Sequence, residues 1–253
     1  MNQNSSPKAD ICGVRVDNLT FEEATRRIEA LVERRQPDLI VTCNIDHIIK
    51  LQKDSEFRAI YEKSSLAVAD GVPLLWAAAF LGTPLKGRIN GTDLFEKLCE
   101  IAAIKKYKLF FLGGRPGAAI AAAELLKKRH PNIKIVGTYA PPMGFEKSAE
   151  ENRKIVEMIK DSAPDILFVG LGAPKQEKWI YSHKDEYRVP VSIGIGVSFE
   201  LVAGIVKRAP GWMQASGLEW LWRLVMEPAR LWKRYLIDDP LFFWLVLKQK
   251  VKR

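Results

Sequence analysis

Histidine and cysteine are scarce, and neither occurs in a ligand pattern. His47, His130 and His183 are scattered and no H-E-x-x-H is present, which argues against a zinc site. Cys12, Cys43 and Cys99 are odd in number, widely spaced and without a Cys-x-x-Cys pair. They read as small buried residues in a reducing compartment, not as a disulfide framework. The chain has no G-x-S-x-G and no G-x-x-x-x-G-K-[ST], so neither a nucleophile elbow nor a Walker loop is expected. It also lacks an Asp-x-Asp pair of the kind that chelates a divalent ion against a nucleotide diphosphate. No metal and no cofactor are expected, and a site acting on a diphosphate would need Arg or Lys for that task. Apolar runs are short: Leu241–Leu247 has seven residues, against the roughly 20 that a membrane helix needs. No secretory signal opens the chain, and the polar stretch Met1–Asp10 is expected to be disordered. The protein is expected to be soluble, or to rest on a membrane without crossing it.

What is abundant is positive charge. The 253 residues carry a net charge of +9, which calls for an anionic partner: nucleotide, nucleic acid or acidic membrane. The excess is concentrated. From Ile205 to Arg253 ten Lys/Arg face four Asp/Glu, and five of the seven tryptophans (Trp212, Trp220, Trp222, Trp232, Trp244) lie there too. A basic, tryptophan-rich end is an interfacial composition.

Strand and helix signals alternate along the chain. Short apolar runs at Ile11–Val16, Leu39–Thr42, Leu66–Ala69, Lys108–Leu112, Ile133–Thr138, Ile166–Val169 and Val191–Ile195 read as strands. Periodic segments between them read as helices, the first opened by a Thr20/Glu23 capping box. This alternation predicts an α/β, Rossmann-like fold: a mostly parallel sheet with helices on both faces. A basic, helical C-terminal appendage follows. The expected division is a disordered 1–10, an α/β catalytic domain over 11–204 and the appendage over 205–253. In parallel sheets ligands bind beyond the carboxyl ends of the strands. Thr42-Cys43-Asn44, Asp70-Gly71, Gly113-Gly114 and Gly170-Leu171-Gly172 all fall there.

The most informative stretch is D-I-L-F-V-G-L-G-A-P-K-Q-E-K-W-I over 165–180. A buried strand, a glycine turn and a helix start place bare N–H groups against an anion, commonly a nucleotide phosphate. Lys175 and Gln176 follow within reach of the same ligand. Glycines are also needed at such turns for geometry alone. Gly113-Gly114-Arg115-Pro116-Gly117 opens a helix too, yet does not fit G-x-G-x-x-G, which disfavours a nicotinamide cofactor. Asp70 ends a buried strand and suits either a general base or the cap of the helix near Pro73; from spacing alone the cap is favoured. Thr42 and Asn44 have a comparable bland role as turn residues. Arg88, in a glycine-flanked loop, suits either the stabilisation of a leaving diphosphate or a solvated surface. In the tail Arg223, Arg230 and Arg234 are spaced seven and four apart, so a helix would put them on one face, although Pro228 must kink or restart it. Such a face is either plain basic surface or a contact for anionic lipid.

Taken together these stretches resemble the WecG/TagA/CpsF glycosyltransferases. The matching segments are V-T-C-N-I-D-H (41–47), A-D-G-V-P-L (69–74), R-I-N-G-T-D-L (88–94) and F-L-G-G-R-P-G (111–117). They continue with V-G-L-G-A-P-K-Q-E-K-W-I (169–180), A-G-I-V-K-R-A-P (203–210) and G-L-E-W-L-W-R-L (217–224), nearly the whole chain in order. The resemblance implies transfer of a sugar from a nucleotide-sugar, a UDP-sugar, to a polyprenyl-diphosphate-linked sugar in surface-polymer synthesis. It implies Asp70 as catalytic base, Thr42 and Asn44 in the acceptor pocket, and Arg88 and Gln176 at the substrate or leaving-group site. Gly113, Gly114, Gly170, Gly172, Lys175 and Arg208 lie in the matched substrate-binding segments. Arg223, Arg230 and Arg234 fall in the tail thought to engage the lipid diphosphate. Glu200 stands where the family usually has Asp, one methylene longer, at a position implied to contact the donor.

The expected function is therefore an inverting, metal-independent glycosyltransferase on the inner face of a bacterial plasma membrane. Its expected partners are the nucleotide-sugar, the lipid-linked acceptor and an anionic membrane surface, with a homo-oligomer left open. The rival from another class is a nucleotide-sugar-binding regulatory or scaffold protein without turnover. A nucleic-acid binder rests on charge alone and finds no recognisable module.

Overall fold

A computed structural model describes residues 7–252, so residues 1–6 of the run expected to be disordered lie outside the described residues. The chain opens with β1 (Lys8–Ile11), β2 (Val14–Asp17), α1 (Phe21–Arg34), β3 (Asp38–Cys43), α2 (Ile45–Leu51), α3 (Ser55–Glu62), β4 (Leu66–Ala69) and α4 (Val72–Phe80). It continues with α5 (Gly91–Lys105), β5 (Lys108–Gly113), α6 (Ala118–Arg129), β6 (Lys134–Tyr139), α7 (Ala149–Ser162), β7 (Ile166–Gly170), α8 (Lys175–Tyr187), β8 (Val191–Gly194) and α9 (Ser198–Val202). The tail holds α10 (Gly211–Ala215), α11 (Glu219–Met226), α12 (Pro228–Lys233), a π-helical stretch Arg234–Asp238 and α13 (Asp239–Lys252).

Six strands form a parallel sheet in the order β4-β3-β8-β7-β5-β6, flanked by helices as the alternation predicts. Every residue of β3, β4 and β8 is buried, the pattern of strands covered on both faces. The strand latest in sequence, β8, is central in the sheet, with Ser192 level with both Leu39 and Leu167.

The chain divides into two compact units. The larger comprises Glu22–Thr42 and Gly91–Lys207. Its core is a phenylalanine cluster: Phe95 meets Phe111, Phe168 and Phe199 edge-on at centroid distances of 5.3, 4.8 and 5.5 Å. Such pairs add about 0.5–1.5 kcal/mol each beyond burial. They also fix α9, which carries Phe199, against the carboxyl ends of β5 and β7.

The other unit comprises Met1–Phe21, Cys43–Asn90 and Arg208–Arg253. The single strand expected over Ile11–Val16 is instead a hairpin, β1 paired antiparallel with β2 from Lys8↔Asp17 to Ile11↔Val14. Cys12 and Gly13 both take positive φ (54° and 78°), which closes a two-residue turn of the kind whose twist suits a hairpin. Asp17 Oδ2 accepts from Ala67 N at 2.9 Å and ties the hairpin to β4. Asn44 caps α2 and Asp54 caps α3, each accepting a hydrogen bond from an N–H of the first turn. Beneath them the buried rings of His47, Phe57 and Tyr61 pack edge-on, and His47 Nδ1 lies 2.5 Å from the Tyr61 hydroxyl. Burial drives the His47 imidazole down to about 3, so it is neutral.

The tail expected as an appendage shares this unit with Cys43–Asn90. Its Leu231, Phe242 and Val246 are buried, and α13 packs on α2 and α4. Gln249 clasps the hairpin: its Nε2 donates to Asp10 Oδ1 at 2.8 Å and its Oε1 accepts from Cys12 N at 2.6 Å. Pro228 ends α11 and begins α12, where its missing N–H costs nothing. Among the described residues no helix is long and apolar enough to cross a membrane.

Candidate active site

In the unit built from Cys43–Asn90 and the tail lies a cleft of about 520 Å³. Asp70, Asn44, Arg88, Arg223 and Arg234 all line it, with Trp76, Trp220 and Phe243 supplying apolar wall. Asp70 follows β4 directly; its N–H donates to Cys43 O at 2.7 Å, and Ile89 N donates to Ala69 O at 2.8 Å. These bonds hold the strand end between two neighbouring segments. Asn90 Nδ2 then donates to Asp70 Oδ1 at 3.2 Å, and Arg208 Nη2 lies 3.5 Å from Asn90 Oδ1. The N-cap of α4 is Gly71, at φ 123°, so Asp70 sits one residue outside the capping position that spacing alone favoured. Asn44 has the bland role as well as a place in the lining: its Oδ1 accepts from His47 N at 3.1 Å.

Two cations of the cleft have acidic partners at long range. Arg88 Nη1 lies 3.4 Å from Gln214 O and 3.5 Å from Glu219 Oε2. Both contacts are long beside the roughly 2.7–2.9 Å typical of charge-assisted bonds. Arg234 lies 3.8 Å from Asp46, whose other cation, Lys50, is at 2.7 Å. Burial pushes the Asp46 carboxyl up, but Arg234 and Lys50 outweigh it and hold it below its ordinary range. The Nε atoms of Arg223 and Arg234 are buried and have no hydrogen-bond partner among the described residues. Gly217 lets the tail approach: at φ 74°, a Cβ there would come within 3.1 Å of the Val72 side chain at the start of α4.

Arg230 is separated from the other two arginines. The break at Pro228 turns it outward, where it is exposed and pairs with Glu227.

The second group of expected site residues lies in the other unit, at the carboxyl ends of β5, β7 and β8. Gly114 N donates to Gly170 O at 2.7 Å. Gly113 can only be glycine, for a Cβ there would lie 2.6 Å from Gly170 O at φ 99°. The side chain of Gln176 is buried and braces two turns: Oε1 accepts from Gly172 N at 3.2 Å and from Gly196 N at 3.1 Å. Its Nε2 donates to Glu177 Oε1 at 2.7 Å. Lys175 reaches instead to Glu146, at 3.0 Å near the surface. Thr42 Oγ1 donates to Gly194 O at 3.1 Å, tying β3 to β8. Glu200 Oε1 accepts from Arg115 N at 2.9 Å, while its buried Oε2 has no partner among the described residues.

Several members of these groups are not singled out by the sequence, although Asn90 and Glu219 lie in the matched segments 88–94 and 217–224. Asn90 and Glu219 reach Asp70 and Arg88 from loop and tail, and Asp239 lines the cleft from the start of α13. The buried carboxylate of Glu177 had one cue, its place behind Lys175-Gln176.

The sequence pattern of the Glycosyl transferase WecG/TagA/CpsF family matches residues 9–253. Among curated relatives, the N-acetylglucosaminyldiphosphoundecaprenol N-acetyl-beta-D-mannosaminyltransferases of Staphylococcus aureus strains MW2 and NCTC 8325 / PS 47 are each 32% identical over 254 residues. Each alignment covers 99% of this chain and 96% of the relative.

Proposed function

Because the chain belongs to the WecG/TagA/CpsF glycosyltransferase family, we propose that it transfers a sugar from a UDP-sugar to a sugar carried on a polyprenyl diphosphate. The relatives' name gives N-acetylmannosamine as the group moved and N-acetylglucosaminyl-diphosphoundecaprenol as the acceptor; the same pair is the first choice here. The observation that carries the reading is the placement of Asp70, oriented by Asn90, in a cleft that also holds Arg88, Arg223 and Arg234.

Asp70 takes the proton of an acceptor-sugar hydroxyl as that oxygen attacks the anomeric carbon of the donor. The bond to the nucleoside diphosphate breaks with its electron pair on the leaving oxygen. A single displacement of this kind inverts the anomeric centre. Arg223 and Arg234 offer their unpartnered Nε atoms to the acceptor's diphosphate, and Arg88 exchanges its long contact with Glu219 for a phosphate oxygen. Guanidinium groups would supply the charge that a metal supplies elsewhere. Asn44 supports the acceptor from the cleft wall, and Arg208 steadies Asn90.

The donor's nucleotide is assigned to the glycine turns of the other unit. Gly113, Gly114, Gly170 and Gly172 allow close backbone approach, Gln176 braces them, and Glu200 Oε2 is left to accept from a ribose hydroxyl. Lys175 exchanges Glu146 for phosphate, and Thr42 is a positioning residue that fixes the end of β3. The tail rests on an anionic membrane: Trp232 and Trp244 are exposed, Lys248 lies over the Trp244 ring at 4.9 Å, and Lys250 over Phe80 at 5.5 Å.

The test is a screen of UDP-sugars with a short-chain polyprenyl-diphosphate N-acetylglucosamine, read by product mass. One added sugar with release of UDP is expected. Binding of donor without product for any sugar would favour a scaffold or regulatory protein.

A further inference from the structure

Asp239, the first residue of α13, lines the same cleft as Asp70 but has no part in the transfer just described. It is 8% exposed, and its Oδ1 is fully buried without a hydrogen-bond partner among the described residues. An unmatched buried carboxylate oxygen is costly, so such atoms are expected to meet a donor when the site is filled. Its surroundings do not neutralise it. Burial raises its pKa to about 6, Asp46 and Asp238 push the same way, and Arg234 and Lys50 only partly offset them.

The neighbouring orphans have the opposite polarity. Arg223 and Arg234 bring buried Nε donors without acceptors into the lining of the same cleft. The cleft therefore offers one strong acceptor and two strong donors together. A diphosphate satisfies only donors. A carboxylate accepts hydrogen bonds but cannot donate them when ionised, so Asp239 would repel a diphosphate and must serve another part of the ligand. A secondary amide beside the diphosphate fits both halves: its N–H donates to Asp239 and its carbonyl accepts from an arginine.

We propose that Asp239 is a specificity-determining residue that accepts a hydrogen bond from the acetamido N–H of the acceptor sugar. This rests on the proposed lipid-linked acceptor and adds to it a residue that reads the sugar itself. Asp239 touches the substrate without joining the proton transfer, so it governs which acceptor binds and leaves the donor untouched.

The test measures binding of two short-chain polyprenyl diphosphates by calorimetry, one carrying N-acetylglucosamine and one carrying 2-deoxyglucose, which lacks the amide. Wild type is expected to prefer the acetamido sugar by about 10- to 100-fold, the range of a hydrogen bond to a charged group. Asp239→Ala should bind both lipids alike, and Asp239→Asn, which retains a neutral acceptor, should recover part of the preference. UDP binding should be the same in all three proteins, a control that a general loss of structure would fail. If wild type binds neither lipid, the acceptor reading falls and this proposal with it. If wild type binds with a preference that Asp239→Ala retains, the proposal alone is overturned.

Discussion

Asn90 donates to the carboxylate of Asp70 across 3.2 Å, from a residue twenty positions further along the chain. The bond holds a carboxylate that lines the cleft, and with Gly71 as the N-cap of α4 it sets Asp70 apart from a helix cap. Asp70→Asn is expected to lower kcat by about 10²–10⁴-fold, the usual loss of a general base, with UDP binding unchanged. Asn90→Ala is expected to cost about tenfold in kcat, the value of one ordinary hydrogen bond. Steady-state kinetics with calorimetry of UDP checks both; near-normal turnover of Asp70→Asn would exclude it as the base.

The three tail arginines should behave unequally. Arg223→Ala and Arg234→Ala each remove a cleft cation, and a rise in acceptor KM of about 10- to 100-fold is expected for each. Arg230→Ala only breaks a surface pair with Glu227, so activity should stay within about threefold of wild type. Equal losses at all three positions would contradict the division of roles.

Transfer should persist in excess chelator, since Arg88, Arg223 and Arg234 are proposed to stabilise the diphosphates. An assay in EDTA, with magnesium and manganese added back, checks this. Abolition by EDTA with rescue by either ion would refute metal independence.

His47 makes folding sensitive to acid. Its folded pKa of about 3 lies below its ordinary value of 6.5, so the unfolded chain binds the proton first and stability falls as pH drops from about 6.5 toward 3. From pH 7.5 to pH 5 the loss is about 2 kcal/mol. Asp239 acts the other way: its raised pKa destabilises the fold as pH rises from about 4 to 6. Urea midpoints of wild type and His47→Phe at both pH values isolate the histidine; an equal change in both proteins would mean that it is not buried neutral.

Membrane attachment should depend on the aromatic and basic residues of α13 together. Trp244→Ala combined with Lys248→Glu and Lys250→Glu should weaken binding to anionic liposomes by about a hundredfold, at roughly 1 kcal/mol per basic residue plus the indole. Flotation at two salt concentrations reads it. Unchanged binding would place the membrane contact elsewhere.

The strands of the sheet were legible because most are apolar runs closed by Gly, Asn or Asp, and β6 is closed by Pro141-Pro142. The turn at Cys12-Gly13 was not, since Ile11–Val16 looks continuous until both residues take positive φ. Nor does the sequence order reveal that β8 lies between β3 and β7. Asp70 and Arg88 stand out through their motifs, and Asn90 and Glu219 lie in matched segments without a role that spacing assigns, whereas Asp239 enters the cleft only through packing of a distant segment. Gln176 braces two turns at the strand ends, a role that spacing cannot separate from ligand binding. The seven-and-four spacing of Arg223, Arg230 and Arg234 does not place them on one helical face, because Pro228 interrupts the helix that would align them.

The unit that holds the cleft is stitched from segments separated by long stretches of chain, with Gln249 closing on Asp10. On the ribosome, Cys43–Asn90 emerges before Arg208–Arg253 by the whole of Gly91–Lys207. At typical elongation rates that interval lasts roughly 6–24 s. For that time the cleft lacks Arg223 and Arg234, and the faces of α2 and α4 that α13 will cover stay bare. The cleft proposed to take the acceptor is thus the last part of this unit to mature, and on that proposal a nascent chain can neither bind acceptor nor turn over until α13 has been made.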